Sequence, residues 1–501
     1  MTNMEPHVAA DNDNKAQDVF HYENGQQSDD EKRSLEEDAL NYFTPAEQKK
    51  IIHRLDRRLV TVVGVMYCVS LMDRSNLSNA AIAGMNTELE LTVGMRYSIV
   101  TLVFFITYIV FQPPATVLTR KIGPRYFLAG LCIGWGAVMI GMGFTNNWGA
   151  LAACRVILGL FEAGFFPGCV YLLSTWYVRY DMGKRYSVFY LLGVVASAFS
   201  GILAFGLMQM NGLAGLGGWR WIFIIEGVIT VCVGIMGYIM LVPFPDANPE
   251  KSWGFLNKRE VDFVVARVNA DRSDVAVEPF NLVKFLKPGL DLKVWGFAVC
   301  FCCLTTVSYA LAYFLPQILD GMGFTTGEAQ CLVAPPYAFA GIIMFSTAWV
   351  ADKYRIRGPI IASLAVLTII GLAMMGWAPG VASQYAGVFF TCAGANSNIP
   401  HMMSWQANNI RGQWKRAFCS ATLVAFGGIG GIAGSLVFRQ QDAPGYKPGL
   451  WACMTGSLII VLIVMVTDTY FFFCNKKQAK GEKIIEPVPG VDSTDKFRYT
   501  Y

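Results

Sequence analysis

Apolar residues occur along this chain in long segments that are separated by short polar stretches. An α-helix needs about 20 mostly apolar residues to cross the hydrocarbon layer of a bilayer, and each segment is long enough. The segments cover residues 59–80, 97–118, 126–145, 149–176, 185–207, 219–242, 293–316, 331–351, 359–378, 383–405, 416–438 and 449–474. The pattern predicts an all-α polytopic membrane protein with twelve transmembrane helices, arranged as six, a polar central loop and six more.

The polar stretches define the remaining regions of the chain. Residues 1–43 are acidic and lack an apolar stretch after a basic start, so we expect a disordered cytosolic tail and no cleavable signal peptide. Thr44-Pro45-Ala46-Glu47 is a capping-box pattern with proline at the first helical position, and it predicts the start of an amphipathic surface helix. We expect an N-terminal domain at 44–242, a cytosolic central loop at 243–292, a C-terminal domain at 293–474 and a cytosolic tail at 475–501.

Basic residues are distributed unequally between the two sets of short loops, and this bias predicts the orientation of the chain. If both termini are cytosolic, the inner loops hold twelve Lys and Arg residues and the outer loops hold three. The inner set is Arg120, Lys121, Arg125, Arg179, Lys184, Arg185, Lys353, Arg355, Arg357, Arg411, Lys415 and Arg416, and the outer set is Arg96, Arg439 and Lys447. We therefore expect an integral membrane protein, in the plasma membrane by default, with both termini in the cytosol.

The composition excludes several other classes of protein. Of the 501 residues, 54% are hydrophobic and only 15% are charged, whereas about a quarter of the residues of a soluble globular protein are charged. The net charge of +4 is spread over separate loops, so we expect no nucleic acid partner. The 13 cysteines lie in or beside apolar segments and the chain has only four histidines, so we expect neither a metal site nor a disulfide framework.

The fourth apolar segment contains two charged residues, Arg155 and Glu162, which are seven positions apart. Two helical turns separate them, about 10 Å of rise, so their side chains face one side of the helix. An arginine at mid-depth costs about 2.5–3.5 kcal/mol to insert, which favours a functional role for it.

The first apolar segment adds a second acid and a second arginine, Asp73 and Arg74. In a purely structural interpretation, these adjacent charges neutralise each other. In the functional interpretation, two arginines hold a carboxylate by charge-assisted hydrogen bonds, while two buried acids take up and release protons. It predicts Arg74 and Arg155 as substrate-binding residues, and Asp73 and Glu162 as proton-coupling residues. The proton is then the coupling ion, and we expect no other cofactor.

The second half of the chain supplies polar residues for the facing wall of a midplane cavity. The substrate-binding candidates are Tyr309 in the seventh segment and Asn396 and His401 in the tenth, with Asn398 as a further polar residue there. A single membrane histidine is more often a packed, hydrogen-bonded residue than a ligand, and that interpretation of His401 stays open beside a substrate role.

Arg220 and Glu226 flank a tryptophan-rich stretch near the outer end of the sixth segment. Buried charges of opposite sign usually pair. We therefore expect a structural clamp between these two residues rather than a contact with substrate.

The six-plus-six plan resembles the major facilitator superfamily. Asp352-Lys353-Tyr354-Arg355 after the eighth segment is similar to the family's loop motif between paired helices. The first-half counterpart, Arg120-Lys121-Ile122-Gly123-Pro124-Arg125, keeps the glycine and the basic residues but lacks the usual acid. The resemblance implies two pseudo-symmetric six-helix bundles, a gating or structural role for Asp352, Lys353 and Arg355, and different gating control at the first-half loop.

Three stretches are similar to the anion:cation symporter branch of this superfamily, and in particular to its fungal allantoate permease group. They are the run from Gly218 to Gly227, the helix with Arg155 and Glu162, and the run from Trp405 to Arg416. In related sugar-acid symporters and glutamate transporters, the Asp-Arg pair of helix one and the Arg and Glu of helix four bind substrate and couple it to protons. The resemblance implies the same roles for Asp73, Arg74, Arg155 and Glu162.

What the resemblance implies is a monomeric secondary transporter in the lipid bilayer that moves a nicotinate-like carboxylate inward with protons. The alternative is a transporter of a metabolic gene cluster that exports or imports a secondary metabolite or another carboxylic acid. A membrane-embedded enzyme would need a catalytic set of His, Cys or acids near an interface, and the sequence offers none. A transporter-like sensor usually has long cytosolic extensions, whereas the tails expected here are too short for an ordinary domain.

Overall fold

The computed structural model describes residues 38–245, 255–272, 282–410, 413–443, 445–481 and 498–501, and in this part of the chain all regular secondary structure is helical. Twelve long helices are found among these residues. They are α1 (Thr61–Ala80), α2 (Arg96–Ile122), α3 (Pro124–Met142), α4 (Trp148–Trp176, interrupted at residues 163–164), α5 (Arg179–Met208), α6 (Gly218–Met240), α7 (Leu292–Gly321), α8 (Ala334–Tyr354), α9 (Gly358–Trp377), α10 (Val381–Asn409), α11 (Gln413–Val437) and α12 (Lys447–Ala479). Residues 1–37 of the predicted N-terminal tail lie outside the described residues.

Ten of the described helices are long and apolar enough to cross a membrane. The two that fall short are α1, which contains Asp73 and Arg74, and α10, which contains Asn396. These polar side chains are buried among the other helices, whereas large apolar side chains such as Phe199 and Phe345 are exposed on the outer surface. Lipid therefore meets an apolar surface, as a membrane-spanning protein requires. The predicted all-α polytopic membrane fold is confirmed.

The twelve helices form two bundles with the same internal arrangement. In the first bundle α1 packs on α5, α2 on α4 and α3 on α6, and in the second α7 packs on α11, α8 on α10 and α9 on α12. Each pairing recurs with the helix numbers raised by six, which is the predicted pseudo-symmetry. Between the bundles, α1 lies against α7, α2 against α11 and α5 against α8. The interface is thus formed by helices that are equivalent in the two halves.

The two ends of the bundles differ in what covers them. We call the end with the surface helix Pro45–Leu55 and the central-loop helix Lys258–Arg272 the central-loop face, and the other end the opposite face. The surface helix begins with the predicted capping box at residues 44–47. Arg54 and Glu260 form an ion pair of 3.1 Å between the two surface helices. Both helices therefore cover one end of the molecule.

Part of the region predicted as a C-terminal cytosolic tail, residues 498–501, packs on the central-loop face of the second bundle. The side-chain amide of Asn475 accepts the Tyr499 N–H (3.0 Å) and donates to the Tyr499 carbonyl (2.9 Å). Asn409 pairs with Thr500 in the same way, at 2.7 and 3.0 Å. Each asparagine therefore satisfies both backbone groups of one residue in the segment.

The side chain of Tyr499 anchors this segment. Its ring stacks on Phe471 with the centroids 4.3 Å apart, and Lys293 Nζ donates to its hydroxyl at 2.7 Å. Trp405 Nε1 adds a hydrogen bond to the carbonyl of Thr500 (3.0 Å). Through these contacts the segment joins the ends of α7, α10 and α12.

We expect Tyr499→Ala to lower the thermal stability of the purified protein, because loss of a buried aromatic side chain typically costs about 3–5 kcal/mol. Arg498→Ala is the matched control, since Arg498 is exposed in the same segment. The measurement is the melting temperature of each variant in detergent. Equal melting temperatures for Tyr499→Ala and the wild type would show that the segment adds no stability.

Candidate functional site

A cavity lies between the two bundles, lined by α1, α2, α4 and α5 from the first bundle and by α7, α8, α10 and α11 from the second. The space open to the centre of a water molecule is about 100 Å³, several times the roughly 10–15 Å³ that one water needs. Aromatic residues are prominent in the wall, including Tyr67, Tyr108, Tyr190 and Tyr337. Arg74 is the one charged side chain among the described residues that line it. The cavity therefore combines aromatic surface with a single cation.

Arg74 is held in place from both bundles. Its Nε and Nη2 donate to Oε1 of Glu162 on α4, at 2.8 and 2.6 Å, and its Nη1 donates to the Tyr309 hydroxyl on α7 at 2.8 Å. The guanidinium also lies over the rings of Phe104, Tyr108 and Tyr309, at 5.9, 5.3 and 5.5 Å from the centroids. Cation–π contacts of this kind stabilise a desolvated cation.

Glu162 lies behind Arg74 and is not part of the cavity wall. It is buried, and the Ser70 hydroxyl donates to the same carboxylate oxygen that Arg74 binds. The helix breaks directly after it, where Gly164 packs closely against Ala115, so that a Cβ at residue 164 would clash. The break separates the two parts of α4 and leaves Glu162 at the end of the first part, facing α1.

Arg155 is buried one aromatic ring away from the cavity. Its guanidinium lies 6.0 Å from the centroid of Phe104, the ring that Arg74 also contacts, and it does not line the cavity. Among the described residues, Arg155 Nε and Nη2 have no hydrogen-bond partner. The two arginines predicted as carboxylate ligands are thus grouped around one ring, but only Arg74 reaches the cavity in this conformation.

Asp73 faces away from Arg74. Trp135 Nε1 on α3 and the Thr230 hydroxyl on α6 donate to its Oδ2, at 3.0 and 3.1 Å. Successive residues of an α-helix point about 100° apart, so neighbours in the sequence face different helices. The structural interpretation in which Asp73 and Arg74 neutralise each other is therefore wrong for this structure.

Of the substrate-binding candidates in the second half of the chain, some line the cavity and others pack between helices. Tyr309 and Asn396 line the cavity, and Asn396 Oδ1 accepts a hydrogen bond from Ser308 (2.9 Å). His401 is absent from the described cavity wall and its Nε2 lies 2.9 Å from the Thr347 hydroxyl, between α10 and α8.

Asn398 Nδ2 donates to the Ile361 carbonyl on α9 at 3.1 Å, so this residue also packs between helices. The position of His401, outside the described cavity wall, corrects the prediction that this histidine contacts substrate. The histidine occupies the packed, hydrogen-bonded position that the alternative interpretation described.

The predicted clamp between Arg220 and Glu226 is wrong. Arg220 instead pairs with Glu88 at 2.6 Å and donates to the Gly143 carbonyl at 3.1 Å. Residues six positions apart on a helix point about 120° apart, so Arg220 and Glu226 face different neighbours. Partial burial acts to raise the pKa of Glu88, but hydrogen bonds from Arg220 and Trp219 outweigh it and hold that pKa below its usual value. The clamp at the opposite face therefore joins α6 to Glu88, in the connection between α1 and α2.

The loop motif after α8 is held by a close ion pair. Asp352 pairs with Arg357 at 2.6 Å, and Lys353 Nζ lies 4.7 Å from the ring of Trp349. Arg355 ends α8 in the left-handed conformation, with φ of 54°. In the second half of the fold, Arg357 of this loop thus has a carboxylate partner, Asp352, which the sequence motif contains.

The equivalent loop after α2 lacks that acid. There, Arg125 Nε donates to the carbonyl of Tyr238 on α6 at 2.7 Å. A hydrogen bond to backbone replaces the ion pair of the second half, so the two loops differ in their electrostatics although the helices are equivalent. The role of these loops in gating stays a prediction.

Hydrogen bonds between the bundles lie on the side of the cavity towards the opposite face. Ser78 on α1 donates to the Ala312 carbonyl on α7 at 3.1 Å. Tyr97 at the start of α2 donates to the Tyr313 carbonyl at 2.9 Å. These contacts hold the bundles together between the cavity and the opposite face.

Sequence reasoning missed several residues that build the site. Ser70, Trp135 and Thr230 hold the two acids, and Tyr97 joins the bundles. The available signal was the occurrence of hydroxyl and indole donors inside apolar segments, where a polar group needs a partner. Their partners lie on other helices and could not be assigned from spacing along the chain.

The profile of the Major Facilitator Superfamily matches residues 63–435. The high-affinity nicotinic acid transporter of Saccharomyces cerevisiae is 28% identical over 466 residues, which cover 91% of this chain and 85% of that protein. The MFS-type transporter efuF of Hormonema carpetanum is 31% identical over 446 residues, which cover 88% of this chain and 89% of the relative.

Solved structures share the fold. A bacterial homolog to the human lysosomal transporter Spinster, in an inward-facing and unoccupied conformation, has a TM-score of 0.59 at 13% identity and covers 86% of this chain and 98% of its own. The xylose transporter XylE from E. coli, in a partially occluded inward open conformation, has a TM-score of 0.62 at 14% identity and covers 82% and 98%. At these identities the similarity concerns the fold alone.

Tyr309→Phe should lower the melting temperature of the purified protein, because it removes the hydrogen bond to Arg74 Nη1 and keeps the ring. A hydrogen bond to a charged group contributes about 1.5–3 kcal/mol. Tyr313→Phe is the control, since the Tyr313 hydroxyl is buried without a partner among the described residues. Equal effects of the two substitutions would contradict a specific role of the Tyr309 hydroxyl.

Proposed function

Since this chain belongs to the Major Facilitator Superfamily, we propose that it is a proton-coupled symporter of a small organic carboxylate that works by alternating access. The observation that carries this proposal is the environment of Arg74. Its guanidinium is the charged group on the described cavity wall, and Glu162 occupies two of its donors. An anion that enters the cavity must compete with Glu162 for the same cation.

This competition supplies a coupling mechanism. When Glu162 is ionised, its carboxylate satisfies Arg74, and a second carboxylate would add unpaired negative charge to a buried site. When Glu162 takes up a proton, Arg74 loses its counter-ion and can bind the substrate carboxylate by charge-assisted hydrogen bonds. Proton and anion therefore favour each other's binding.

Charge balance favours the same coupling. A monoanion that enters a negative cell alone works against about 2.3 kcal/mol per 100 mV of membrane potential. One accompanying proton makes the transported charge zero, and a second proton makes inward transport electrogenic. Protons thus supply the energy for accumulation of an anion.

Arg155 and Asp73 complete the proposed machinery. Arg155 lies behind Phe104, and its unpartnered guanidinium nitrogens make the buried charge costly. A conformation in which Phe104 moves aside would let Arg155 reach the substrate carboxylate and relieve that cost. Asp73 is the second proton site of the proposal and faces α3 and α6.

The cavity wall supports a flat, aromatic acid as substrate. Tyr67, Tyr108 and Tyr190 line the cavity with aromatic surface, and Asn396 and Tyr309 add polar groups to the lining that includes Arg74. The similarity to the yeast nicotinic acid transporter supports a nicotinate-like substrate. The stretches with Arg155, Arg220 and Trp405 support a place in the allantoate permease group of the anion:cation symporter branch.

A second candidate is the export or import of a secondary metabolite or another carboxylic acid. The similarity to the MFS-type transporter efuF, at 31% identity, is as high as that to the nicotinic acid transporter, at 28%. Sequence similarity therefore does not single out nicotinate. The same cavity and the same Arg74 would serve either direction.

We further propose a monomer in the plasma membrane with both termini in the cytosol. The distribution of Lys and Arg between the loops supports this orientation. The central-loop face is then cytosolic, and the contacts at Ser78 and Tyr97 close the outer side. Asp352, Lys353 and Arg355 would act in gating at the cytosolic face.

The proposal is tested by uptake into permease-deficient yeast at acidic and neutral pH. The labelled panel contains nicotinate, pantothenate, biotin, allantoate and the neutral amide nicotinamide. We expect acid-stimulated, protonophore-sensitive uptake of at least one acid and none of the amide, because Arg74 requires a carboxylate. No uptake of any acid, together with increased resistance of the cells to an organic acid, would favour the export function.

Glu162→Gln should strongly lower proton-driven accumulation and leave exchange of labelled for unlabelled substrate. Glutamine keeps the shape of a protonated glutamate but cannot release a proton, so one coupled proton is lost and the ratio of internal to external substrate should fall. Glu88→Gln, at the opposite face, is the control and should still accumulate substrate. Full accumulation by Glu162→Gln at acidic pH would contradict the proton role of Glu162.

A further inference from the structure

Glu226 on α6 is a buried acid that the mechanism above does not use. The residue is 1% exposed, and neither of its carboxyl oxygens has a hydrogen-bond partner among the described residues. Arg220, its predicted partner, is bound to Glu88. A side chain of this kind is expensive to bury, so its presence inside the first bundle needs a physical account.

The neighbours of Glu226 are polar groups of α1. Asn76 is fully buried beside it, and both atoms of the Asn76 amide lack a partner in the described part of the chain. Asp73 lies one turn earlier on α1 and acts electrostatically on Glu226. Thr230, one turn after Glu226 on α6, donates to Asp73 at 3.1 Å. We call Asp73, Asn76, Glu226 and Thr230 the acid cluster.

The hydrogen bonds decide where the negative charge of this cluster lies. Asp73 accepts from both Trp135 and Thr230, and such donors stabilise the ionised form of a carboxyl group. Among the described residues no donor makes a well-aligned hydrogen bond to Glu226, whose polar neighbour is the Asn76 amide, and a carboxylate with so little support in an apolar interior takes up a proton instead. Two neighbouring carboxyl groups also resist being ionised together. The hydrogen bonds therefore favour the charge of the pair on Asp73 and the proton on Glu226.

Other ionisable groups around the cluster come from α3 and α4. The Cys132 thiol on α3 donates to the Thr230 carbonyl at 3.5 Å, and Glu162 and Arg155 on α4 act on Asp73. The fourth helix near α6 is α5, which approaches it closely at Gly218, towards the opposite face. Among the described residues, Asp73 is the charged group that acts on Glu226 directly.

We propose that Glu226 carries a transported proton and shares a single proton-binding site with Asp73. This inference rests on the proposed symport and adds a residue to it. The Glu226 carboxylate takes up one proton in the state open to the opposite face, and the carboxylic acid releases it in the state open to the central-loop face. No other bond forms or breaks. The present conformation, with the bundles joined towards the opposite face, holds the proton before its release.

The first test compares accumulation of the substrate acid by the wild type, Glu226→Gln, Asp73→Asn and the double variant in cells or vesicles with a known pH gradient. Each coupled proton contributes about a tenfold accumulation ratio per pH unit, so Glu226→Gln should lower accumulation about tenfold per unit of gradient and keep exchange. The double variant should match the single variants, because the two acids share one site. Glu226→Asp should recover much of the accumulation, and Glu88→Gln should behave as the wild type.

Equal accumulation by Glu226→Gln and the wild type would overturn the inference and leave the proposed symport standing. Additive losses in the double variant would overturn the shared site. A wild type that accumulates none of the acids would contradict the symport itself.

A second measurement is independent of substrate. Infrared spectra of the purified protein should show the C=O band of a protonated, unbonded carboxylic acid that disappears in Glu226→Gln and falls in intensity as the pH is raised. A band that does not change with pH, or that remains in Glu226→Gln, would overturn the proton-carrying role even if no substrate has been found.

Discussion

The buried ion pair between Arg74 and Glu162 is the interaction on which the rest of the site depends. It joins α1 to α4, and the hydrogen bond from Arg74 to Tyr309 extends it to α7 in the other bundle. Removal of one partner from such a pair typically costs about 3–5 kcal/mol, because the remaining charge stays buried. Any ligand that takes the place of Glu162 beside Arg74 must therefore be an anion. Any cation that neutralises Glu162 leaves Arg74 without its counter-ion.

Helix α1 separates the two functions that the proposed transport needs, which are anion binding and proton binding. Arg74 faces the cavity, and Asp73, the residue before it, faces α3 and α6. Substrate can then contact the cation without contacting the acid cluster, while both are moved by the same helix. The polar residues that make this possible are also the reason that α1 is less apolar than its neighbours, and α10 shows the same feature in the second bundle.

The two bundles are equivalent in packing and unequal in charge. Described residues of the first bundle supply Arg74, Arg155, Glu162, Asp73 and Glu226, whereas the cavity wall of the second supplies uncharged groups such as Tyr309 and Asn396. The second bundle instead has close polar contacts at the central-loop face, where Asp352 pairs with Arg357 and Tyr499 docks beside Asn475. A stable second bundle against which the charged first bundle moves would suit alternating access.

The sequence by itself determined the twelve long helices, the six-plus-six plan, the capping box at Thr44 and the set of intramembrane charges. These features depend on neighbouring residues, because an apolar run of membrane length and a helix cap are both local properties. The tertiary structure alone decided which charges meet. Arg74 pairs with Glu162, 88 residues away, Arg220 pairs with Glu88 rather than with Glu226, and His401 packs against Thr347 outside the cavity. Helices that are distant in the sequence supply these partners, so their selection depends on how each helix is rotated about its axis, and that rotation is set by packing across the whole bundle.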